Sequence, residues 1–446
     1  MLADTETEVL AILRQEDLWD KDEYWRPVGD NSNNRAIIFN QQEDAVSALA
    51  EKITNSVDAI LINKCLEVGI NPQGPEAPKS MRLAIGKFFG ARESESAGMT
   101  RFWGTDHLSS SEVDQIAKNI WLSATGSKTR PSISIADRGE GQTPDNFPNT
   151  FMALVGYKNS QGRTESQKAN IPFVQGQFNM GSSGVYPFLS PDHAFQLLIS
   201  RRNPALLPTD CSKRDQQWGF TVVRRNRNLM KGSIYEYLAP EGITSAEYGG
   251  VLSFESPTFE LLPESPPQSI PNKIYSDHIE YGTMVKLYEY QYKEQGLSTS
   301  HILMKSGLMR QLELVLPECG IPVRCVEGRD YKGKHGSFQT NLFGVLNRLQ
   351  GLAKNSNWDE VDADSETETE TASPLALEGP QVDGEITLEG SPLPWTAYVF
   401  RDDAGDRTRS GKYNLIFHLN GQKHAHESKS FFSRQEVGYR YLAKHN

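Results

Sequence analysis

The chain has 446 residues, of which 37% are hydrophobic and 23% are charged, a composition typical of a globular protein with two or more domains. The net charge is −11, and residues 355–390 alone carry eleven acidic side chains with no Lys or Arg. The remainder of the chain is therefore close to neutral, so global charge argues neither for nor against nucleic-acid binding.

Several classes of protein are disfavoured by what the sequence lacks. The four cysteines are dispersed and form no CxxC pair, which argues against a zinc site or a disulfide framework. No uninterrupted apolar run approaches the length of a bilayer span, so no membrane partner is predicted. The first residues, MLADTETEVLAIL, begin acidic and do not follow the signal-peptide pattern. These features favour a reduced, cytoplasmic setting.

The first forty residues are predicted to form a strap. A short amphipathic helix is expected over Glu6–Arg14, and the Asn- and Asp-rich stretch after it is expected to be an ordered loop. Trp19 and Trp25 would pin this stretch to the body of the protein, because their large apolar rings favour burial.

A long helix is predicted next, over about Asp44–Val68. Within ALAEKITNSVDAIL, the side chains of Glu51, Asn55 and Asp58 fall at i, i+4 and i+7 and project from one face. Taken alone, the pattern also fits an ordinary amphipathic helix with a solvated polar face. The apolar stripe on roughly the opposite face, which can pack on a sheet, consists of Val46, Leu49, Ile53, Val57, Ile60 and Leu61.

Residues 71–175 alternate between predicted loops and short elements. The run SSSEVDQIAKNIWLSATG is expected to be a second helix with capping residues at Ser109–Ser111, and Pro131–Asp137 alternates as a strand does. Phe147–Val155 returns to helical spacing, whereas residues 156–175 are polar and have the composition of a mobile loop.

Four strands of a mostly antiparallel sheet are expected afterwards, in HAFQLLISRR, WGFTVVRR, SIYEYLA and TMVKLYEYQY. Five arginines near these strands could form a nucleic-acid patch, although the ends of exposed strands also commonly carry such charge. They are Arg201, Arg202, Arg224, Arg225 and Arg227.

A second domain is predicted from about His301, beginning with a helix near Ile302–Leu316. Residues 355–390 have the composition of a disordered insertion. Strands are expected in PWTAYVFRD and KYNLIFHLNG, and an amphipathic helix in RQEVGYRYLAKHN. His424 and His426 would share one face of a strand, but metal binding is not favoured without a third ligand nearby.

Two glycine-rich stretches suit a nucleotide. Asp137 ends a predicted strand, where its carboxylate can accept a hydrogen bond from an exocyclic amine such as that of adenine. Gly139 and Gly141 in the same DRGEG turn permit close approach of a base to the backbone. Gly176–Gly184, GQFNMGSSG, precedes a predicted helix, and backbone N–H groups at a helix start suit phosphate. Each stretch alone is unspecific.

A strand that begins at Gly282-Thr283 could place a hydroxyl beside Asp137 and completes a set of four motifs. In this order the set resembles the GHKL superfamily of ATPases: DNA gyrase B subunits, heat-shock chaperones, MutL-type mismatch-repair proteins, histidine kinases and MORC proteins. The resemblance covers about residues 30–290, and YGTMVKLYEY resembles the gyrase form most. The chaperone form has a further glycine where Asn179 stands. A Walker-type GxxxxGK[ST] motif is absent, which excludes a P-loop enzyme.

The resemblance implies an α+β fold, namely a two-layer α/β sandwich of the Bergerat ATP-binding type followed by a smaller α/β transducer-like domain. The implied ranges are 1–40 for an N-terminal strap or dimerisation segment, 41–295 for the ATP-binding domain with an insertion at about 71–130 and a lid at about 156–175, and 300–446 for the transducer-like domain with the acidic insertion 355–390.

The resemblance also implies roles for single residues. Asn55 would coordinate Mg²⁺, Glu51 would polarise the attacking water as a general base, and Asp58 would fix the helix and nearby waters. Asp137 would read adenine with support from Thr283. The residues implied to bind ATP and its ion are Asn55, Asp58, Asp137, Gly139, Gly141, Lys158, Gly176, Gly181, Ser182, Ser183, Gly184 and Thr283.

Lysines that could reach the phosphates remain open alternatives. In the lid segment, either Lys158 or Lys168 could do so, or both could simply be solvated. In the second domain the candidates for contacting the γ-phosphate are Lys305, Gln422 and Lys423, and the alternative for the LNGQKH loop is an ordinary surface turn.

The implied activity is Mg²⁺-dependent ATP binding and slow ATP hydrolysis, which closes the lid and joins two copies as a homodimer. The nucleotide state would be transmitted to the second domain, an effector protein or DNA, and bacterial multi-domain GHKL proteins of phage-defence (antiviral) systems have a comparable layout. The alternative is a nucleotide-gated interaction module in which hydrolysis is incidental and a partner acts. A histidine kinase is not favoured, because no helical dimerisation region with a phosphoacceptor His precedes the motifs.

Overall fold

The computed structural model describes most of the first 346 residues and five short stretches after them. The described residues are 2–39, 42, 44–90, 109–154, 157–158, 164–165, 168, 170–175, 183–228, 232–244, 248–262, 277–292, 296–304, 307–329, 338–346, 382–397, 415–419, 421–427, 430–431 and 434.

Four of the described α-helices start at capping side chains, which are Thr5, Asp44, Ser80 and Ser109. The α-helices are α1 (Glu6–Gln15), α2 (Asn34–Phe39), α3 (Ala45–Glu67), α4 (Met81–Phe89), α5 (Ser110–Ala117) and α6 (Leu308–Val315). Thr5 and Glu8 form a capping box before α1, and Ser109 caps α5 in the same way. Asp44 accepts a hydrogen bond from the backbone N–H of Ser47 and so fixes the start of α3. The predicted bounds of α1 and α3 are confirmed to within one residue.

One large mixed sheet contains most of the described strands. The strands are β1 (Trp25–Pro27), β2 (Ile120–Gly126), β3 (Pro131–Asp137), β4 (Tyr157–Lys158), β5 (Thr164–Glu165), β6 (Gln196–Arg201), β7 (Trp218–Asn228), β8 (Gly232–Leu238), β9 (Leu252–Phe254), β10 (Phe259–Glu260), β11 (His278–Ile279), β12 (Gly282–Leu287), β13 (Val323–Glu327), β14 (Gln339–Leu342), β15 (Val382–Leu388), β16 (Ser391–Ala397), β17 (Leu415–Leu419) and β18 (Gln422–Glu427).

The order within this ten-stranded sheet is β1-β8-β7-β6-β12-β3-β2-β13-β14, with β9 beside β7. Neighbouring strands are antiparallel except β2 and β13, which run parallel. Four hairpins, β4–β5, β10–β11, β15–β16 and β17–β18, form separate two-stranded sheets. This mixed α/β architecture agrees with the predicted α+β class. The order also places β3 and β12 side by side in the middle of the sheet. The end of β3 and the start of β12 are therefore neighbours, midway between the outermost strands.

The two faces of the sheet are covered by different parts of the chain. Along β3, Ile133 and Ile135 belong to the hydrophobic cluster that includes the apolar side of α3. Ala136 belongs to the opposite cluster, which includes Val9 and Leu13 of α1. This separation follows from the two-residue period of a strand, which sends successive side chains to opposite faces. The predicted apolar stripe of α3 is buried against the sheet as expected.

The N-terminal segment is tied to the sheet by buried polar contacts. The carboxylate of Asp4 lies 2.6 Å from the ammonium of Lys286, whose side chain is 2% exposed, and also accepts a hydrogen bond from Thr125. Trp25 is buried, and its ring lies 3.8 Å from the guanidinium of Arg224. The prediction that tryptophan pins this segment to the body of the protein is therefore confirmed.

Two helices predicted from the sequence differ from those in the structure. The helix predicted across SSSEVDQIAKNIWLSATG ends with α5, and its second half is β2, an inner strand between β3 and β13. The apolar residues of β2 are buried on both sides, so sheet pairing overrides helical spacing there. The helix predicted over Phe147–Val155 is instead a 3₁₀ helix at Pro144–Asn149, because Pro148 inside it cannot donate a backbone hydrogen bond.

The predictions for the second half of the chain also need correction. The helix predicted from Ile302 starts only at Leu308, because Gly307 precedes it in an extended conformation. The segment predicted as disordered to residue 390 contains β15, which pairs with β16; residues 355–381 lie outside the described part. The predicted C-terminal helix also lies outside it, apart from Arg434. Strands β13 and β14 extend the main sheet although they fall within the range predicted as a second domain.

Candidate functional site

Helix α3 brings the predicted polar residues towards the centre of the sheet. Glu51 and Asn55 are partly exposed, whereas Asp58, two turns after Glu51, is completely buried. The oxygen Oδ1 of Asp58 accepts a hydrogen bond from the backbone N–H of Gln175 at 2.9 Å. The polar face of α3 is therefore not a uniformly solvated surface, because its last carboxylate is bonded to another segment of the chain.

The carboxylate of Asp137, at the end of β3, faces α3. Its Oδ2 accepts a hydrogen bond from the hydroxyl of Ser56 at 2.9 Å, and its Oδ1 accepts one from the backbone N–H of Gly139 at 3.0 Å. Burial raises the pKa of Asp137 to about 6, although these hydrogen bonds and the positive charge of Lys168 oppose the shift. Asp137 is thus a buried hydrogen-bonding carboxyl group whose pKa lies above that of an exposed aspartate.

The turn after Asp137 approaches its neighbours so closely that two positions require glycine. A Cβ atom at Gly139 would lie 2.6 Å from the Cβ of Ala59 on α3. Gly141 has a φ of +61°, and a Cβ there would lie 1.8 Å from the carbonyl oxygen of Arg201. The backbone N–H of Glu140 also donates to the carbonyl of Ala59 at 3.3 Å. Gly139 and Gly141 therefore allow α3 and β6 to pack directly against the turn.

Strand β12 completes the same corner of the sheet. Thr283 lies directly opposite Asp137 in the antiparallel pairing of β12 with β3, as predicted. Its hydroxyl lies 3.0 Å from the hydroxyl of Ser200 on the other neighbouring strand, β6. Ser200 also donates to the carbonyl of Gly282 and accepts from the backbone N–H of Gln142. The hydrogen bonds of Ser200 thus link β12, β6 and the turn beside Asp137.

A lysine from the segment after β5 lies against the polar face of α3. The ammonium of Lys168 is 3.1 Å from Oδ2 of Asp58 and 3.4 Å from Oδ1 of Asn55. Its charge also lowers the pKa of both Glu51 and Asp137 against the larger effect of burial. Of the two lysines considered, Lys168 reaches the candidate site. The backbone of Lys158 is in β4, and its side chain lies outside the described part.

Glu51 lies in a partly dehydrated environment at the start of the same face. Burial raises its pKa, which is opposed first by a hydrogen bond from the side-chain amide of Gln42 at 2.5 Å. The neighbouring Lys52 is buried, and this burial lowers its pKa to about 8. A carboxylate with a raised pKa is better suited to accept a proton near neutral pH.

The glycine-rich stretch is described only at its end. Gly176, Gly181 and Ser182 lie outside the described part. Ser183 is buried, and its carbonyl accepts from the backbone N–H of Tyr186. The α-helix predicted after this stretch is wrong, because only a three-residue 3₁₀ helix follows, in which Pro187 has no N–H to donate. Ser183 and Gly184 therefore precede a turn and not the start of an α-helix.

The contacts, burial and charges described above define the candidate site. Neither a scan against protein-family models nor a search of curated proteins gave a match to this chain. The roles of the site residues must therefore be argued from the contacts, burial and charges that surround them.

Four contributors to the site were missed in the sequence, namely Gln42, Ser56, Gln175 and Ser200. Ser56 could have been found, because it stands at the i+3 position from Ile53 in the apolar stripe, where a lone hydroxyl is unusual. Gln42, Gln175 and Ser200 reach the site from outside the predicted motifs through tertiary contacts. Their local sequence carried no signal of this role.

A cavity of about 350 Å³ opens beside the turn, on the side of Glu140 and Arg202. The carboxylate of Glu140 lies 2.6 Å from the guanidinium of Arg202, and Asn146 and Leu207 also line the cavity. A second, small cavity lies next to α3 and is lined by Thr54, Gln175, Glu318 and Gly421, among others. The turn of Asp137 therefore borders an open space that could admit a small molecule.

The five arginines near the strands are held by contacts within the chain. Arg201 donates to four backbone carbonyls, and Arg202 pairs with Glu140. Arg224 pairs with Glu236, while Arg225 and Arg227 both donate to the carbonyl of Pro191. These contacts within the chain give the five arginines a structural role that does not require a nucleic-acid partner.

The predicted contacts from the second half of the chain are partly described. Lys305 lies outside the described part, whereas Gln422 and Lys423 begin β18. The turn before them is packed so that a Cβ at Gly421 would lie 2.0 Å from the carbonyl oxygen of Glu318. Burial lowers the pKa of Lys423, against the attraction of Asp44 at the start of α3. The β17–β18 hairpin therefore lies close to the first turn of α3.

The described residues contain neither a cluster of metal ligands nor a helix that could cross a membrane. There, the structure contains no group of three or more His, Cys, Asp or Glu side chains suited to a metal ion, and His424 and His426 are exposed. Among the same residues, no helix is long and apolar enough to cross a membrane.

Proposed function

We propose that this protein binds ATP with Mg²⁺ and hydrolyses it slowly, in a two-layer α/β domain of the Bergerat type. The observation that carries the proposal is the environment of Asp137. Its carboxylate is bonded by Ser56 of α3, its backbone pairs with Thr283 of β12, and Gly139 and Gly141 keep the surrounding turn narrow. Motifs separated by more than two hundred residues in the sequence thus meet at one buried carboxylate.

The chemistry of the surrounding groups supports adenine and a hard cation as ligands. An ionised carboxylate accepts hydrogen bonds only, so Asp137 suits the exocyclic amine of adenine and would be mismatched to the carbonyl of guanine. Asn55 and Asp58 offer side-chain oxygens, the ligands that Mg²⁺ prefers, and the Lys168 ammonium already binds both. The donor set therefore fits Mg²⁺, which when bound would neutralise phosphate charge.

The remaining roles follow from position and charge. Glu51 is one turn before Asn55, and its partial burial favours a carboxylate that can take a proton from water. Asp58, buried and bonded to Gln175, holds the segment before the glycine-rich stretch against α3. We further propose that ATP joins two copies and that residues 300–446, an effector protein or DNA receives the signal, as in the phage-defence systems with a comparable layout.

The first test replaces Asp137 with Asn, which removes the charge while keeping the shape. We expect ATP affinity to fall at least ~10-fold, because a hydrogen bond to a charged group contributes about 1.5–3 kcal/mol. Titration calorimetry with ATP and GTP measures the effect, and Asp210→Asn, a change of the same kind at an exposed position, is the control. Equal ATP affinity in the Asp137 variant and the wild type would rule out the proposed adenine contact.

The pH dependence of ATP binding should follow the same carboxylate. Because burial raises the pKa of Asp137 to about 6, we expect ATP affinity to fall as pH drops below about 6. The stability of the folded protein should change with pH in the opposite direction. Burial in the nucleotide-free protein favours the neutral form of Asp137, so this group stabilises the fold at low pH. That contribution is lost as the pH rises through about 6. Affinity and unfolding free energy measured from pH 4 to 8 test both trends, because the change in stability falls between the ordinary pKa of 3.8 and about 6. An Asp137→Asn variant that keeps the wild-type slope of stability would contradict the assignment.

Turnover and dimer formation separate this proposal from a nucleotide-gated interaction module. Sedimentation of the protein with ATP and with a non-hydrolysable analogue, beside a measured turnover rate, distinguishes the two. A dimer that forms with the analogue and dissociates only after turnover favours the ATPase, whereas a dimer that cycles without turnover favours the module.

A further inference from the structure

We propose that Lys168 is a built-in substitute for the divalent ion: its ammonium and the metal are alternative occupants of the Asn55–Asp58 oxygen pair. The inference rests on the proposed function. It adds which group occupies the metal-binding oxygens in the protein without metal. It assigns Lys168 a role in the nucleotide-free protein, distinct from contact with a phosphate.

The position of the ammonium is the first observation. Lys168 Nζ binds Asp58 Oδ2 at 3.1 Å and Asn55 Oδ1 at 3.4 Å, so one cation contacts two oxygens of neighbouring turns of α3. The Lys168 side chain is only 20% exposed, and Asp58 is completely buried. A buried carboxylate requires a positive partner, because its isolated charge would be strongly unfavourable.

The second observation is the charge around this ammonium. Glu51 and Asp137 both experience its field and Asp58 binds it directly, so this cation acts on three carboxylates, although Lys52 also acts on Glu51. A metal ion that takes Asn55 as a ligand enters the space next to the ammonium, where two positive charges in a partly buried environment repel each other. The ion therefore binds only when the ammonium leaves.

The third observation concerns what remains when Lys168 leaves. Asp58 Oδ1 accepts a separate hydrogen bond, which does not involve the ammonium, from the backbone of Gln175 in the same segment as Lys168. The carbonyl of Lys168 accepts from the backbone of Ile171. Of these two described contacts with Asp58, the one through Lys168 occupies Oδ2, whereas the one through Gln175 uses the other oxygen and leaves Oδ2 to a metal. Departure of the lysine exposes Asp58 Oδ2 and Asn55 Oδ1 together, which are the oxygens that a hard cation needs.

The test measures Mn²⁺ binding to the nucleotide-free protein by electron paramagnetic resonance. We expect Lys168→Met to bind Mn²⁺ at least ~10-fold more tightly than the wild type, because the competing charge is removed. Lys168→Arg, which keeps the charge, and Lys79→Met at an exposed position should resemble the wild type. The double variant Lys168→Met with Asn55→Ala should lose the gain, which identifies the ligand.

A thermal measurement keeps the test informative if the variant is weakened. Lys168→Met leaves Asp58 buried without this partner, so its melting temperature should fall, and Mn²⁺ should raise it more than it raises that of the wild type. Equal Mn²⁺ affinity in wild type and Lys168→Met, or a gain that survives Asn55→Ala, would overturn the inference.

ATP titration of the same samples distinguishes this failure from failure of the proposed function. If ATP binds the wild type and requires Asp137 while Lys168→Met leaves Mn²⁺ affinity unchanged, the role of Lys168 is wrong and the function stands. If ATP binds none of the samples, the proposed function is wrong, and the assignment of Lys168 falls with it.

Discussion

Replacing Glu51 with alanine is expected to slow ATP turnover by ~10²–10⁴-fold, the usual contribution of a general base, while leaving ATP affinity within about threefold. The reason is the position of Glu51 on α3, one turn before Asn55, where burial raises the pKa of its carboxyl group. The carboxylate would act on water and not on adenine, so its removal affects the reaction and spares binding. Phosphate release and ATP titration measure the two quantities separately.

Glu76→Ala is the matched control for this prediction, because Glu76 is an exposed carboxylate on the segment that follows α3. It should turn over ATP at the wild-type rate. A Glu51→Ala protein with unchanged turnover would show that another group, or water alone, accepts the proton. A protein that loses ATP affinity and turnover together would place Glu51 in binding instead.

The second large effect concerns Gly141. Its replacement by alanine is expected to lower the free energy of unfolding by about 3 kcal/mol or more and to abolish ATP binding. Two costs combine there: the left-handed φ of +61°, and a Cβ only 1.8 Å from the backbone carbonyl of Arg201. Backbone cannot move aside as a flexible side chain can, so β6 and the turn must separate. Denaturant unfolding measures the loss of stability.

Gly242→Ala separates the two costs. Gly242 has nearly the same φ, +66°, but a Cβ there would meet no atom within 4 Å. This variant should lose only about 1 kcal/mol, which is the cost of the left-handed conformation alone. If the two variants lose equal stability, the close approach of β6 to the turn is not what requires glycine at residue 141.

Prediction from the sequence succeeded where a local pattern had one structural solution. Asp44 before an amphipathic run determines the start of α3, and the separation of its apolar and polar faces determines which side packs on the sheet. The buried alternation of Pro131–Asp137 likewise specifies β3. The helix predicted over IWLSATG was wrong. Its apolar residues fit both the helical and the strand period, and pairing with β3 and β13 makes this run a strand.

The candidate site shows the same division. Helical spacing determined that Glu51, Asn55 and Asp58 share a side of α3, and the DRGEG turn determined that Asp137 ends a strand beside flexible backbone. Local sequence could not show that Ser56 donates a hydrogen bond to Asp137, that Ser200 bonds Thr283, or that Lys168 reaches Asp58. These contacts join residues 81 to 110 positions apart and depend on how the sheet orders its strands. The sequence by itself determined which residues could act together; the tertiary structure decided which of them meet, because burial and partner charges exist only once the sheet and α3 are packed.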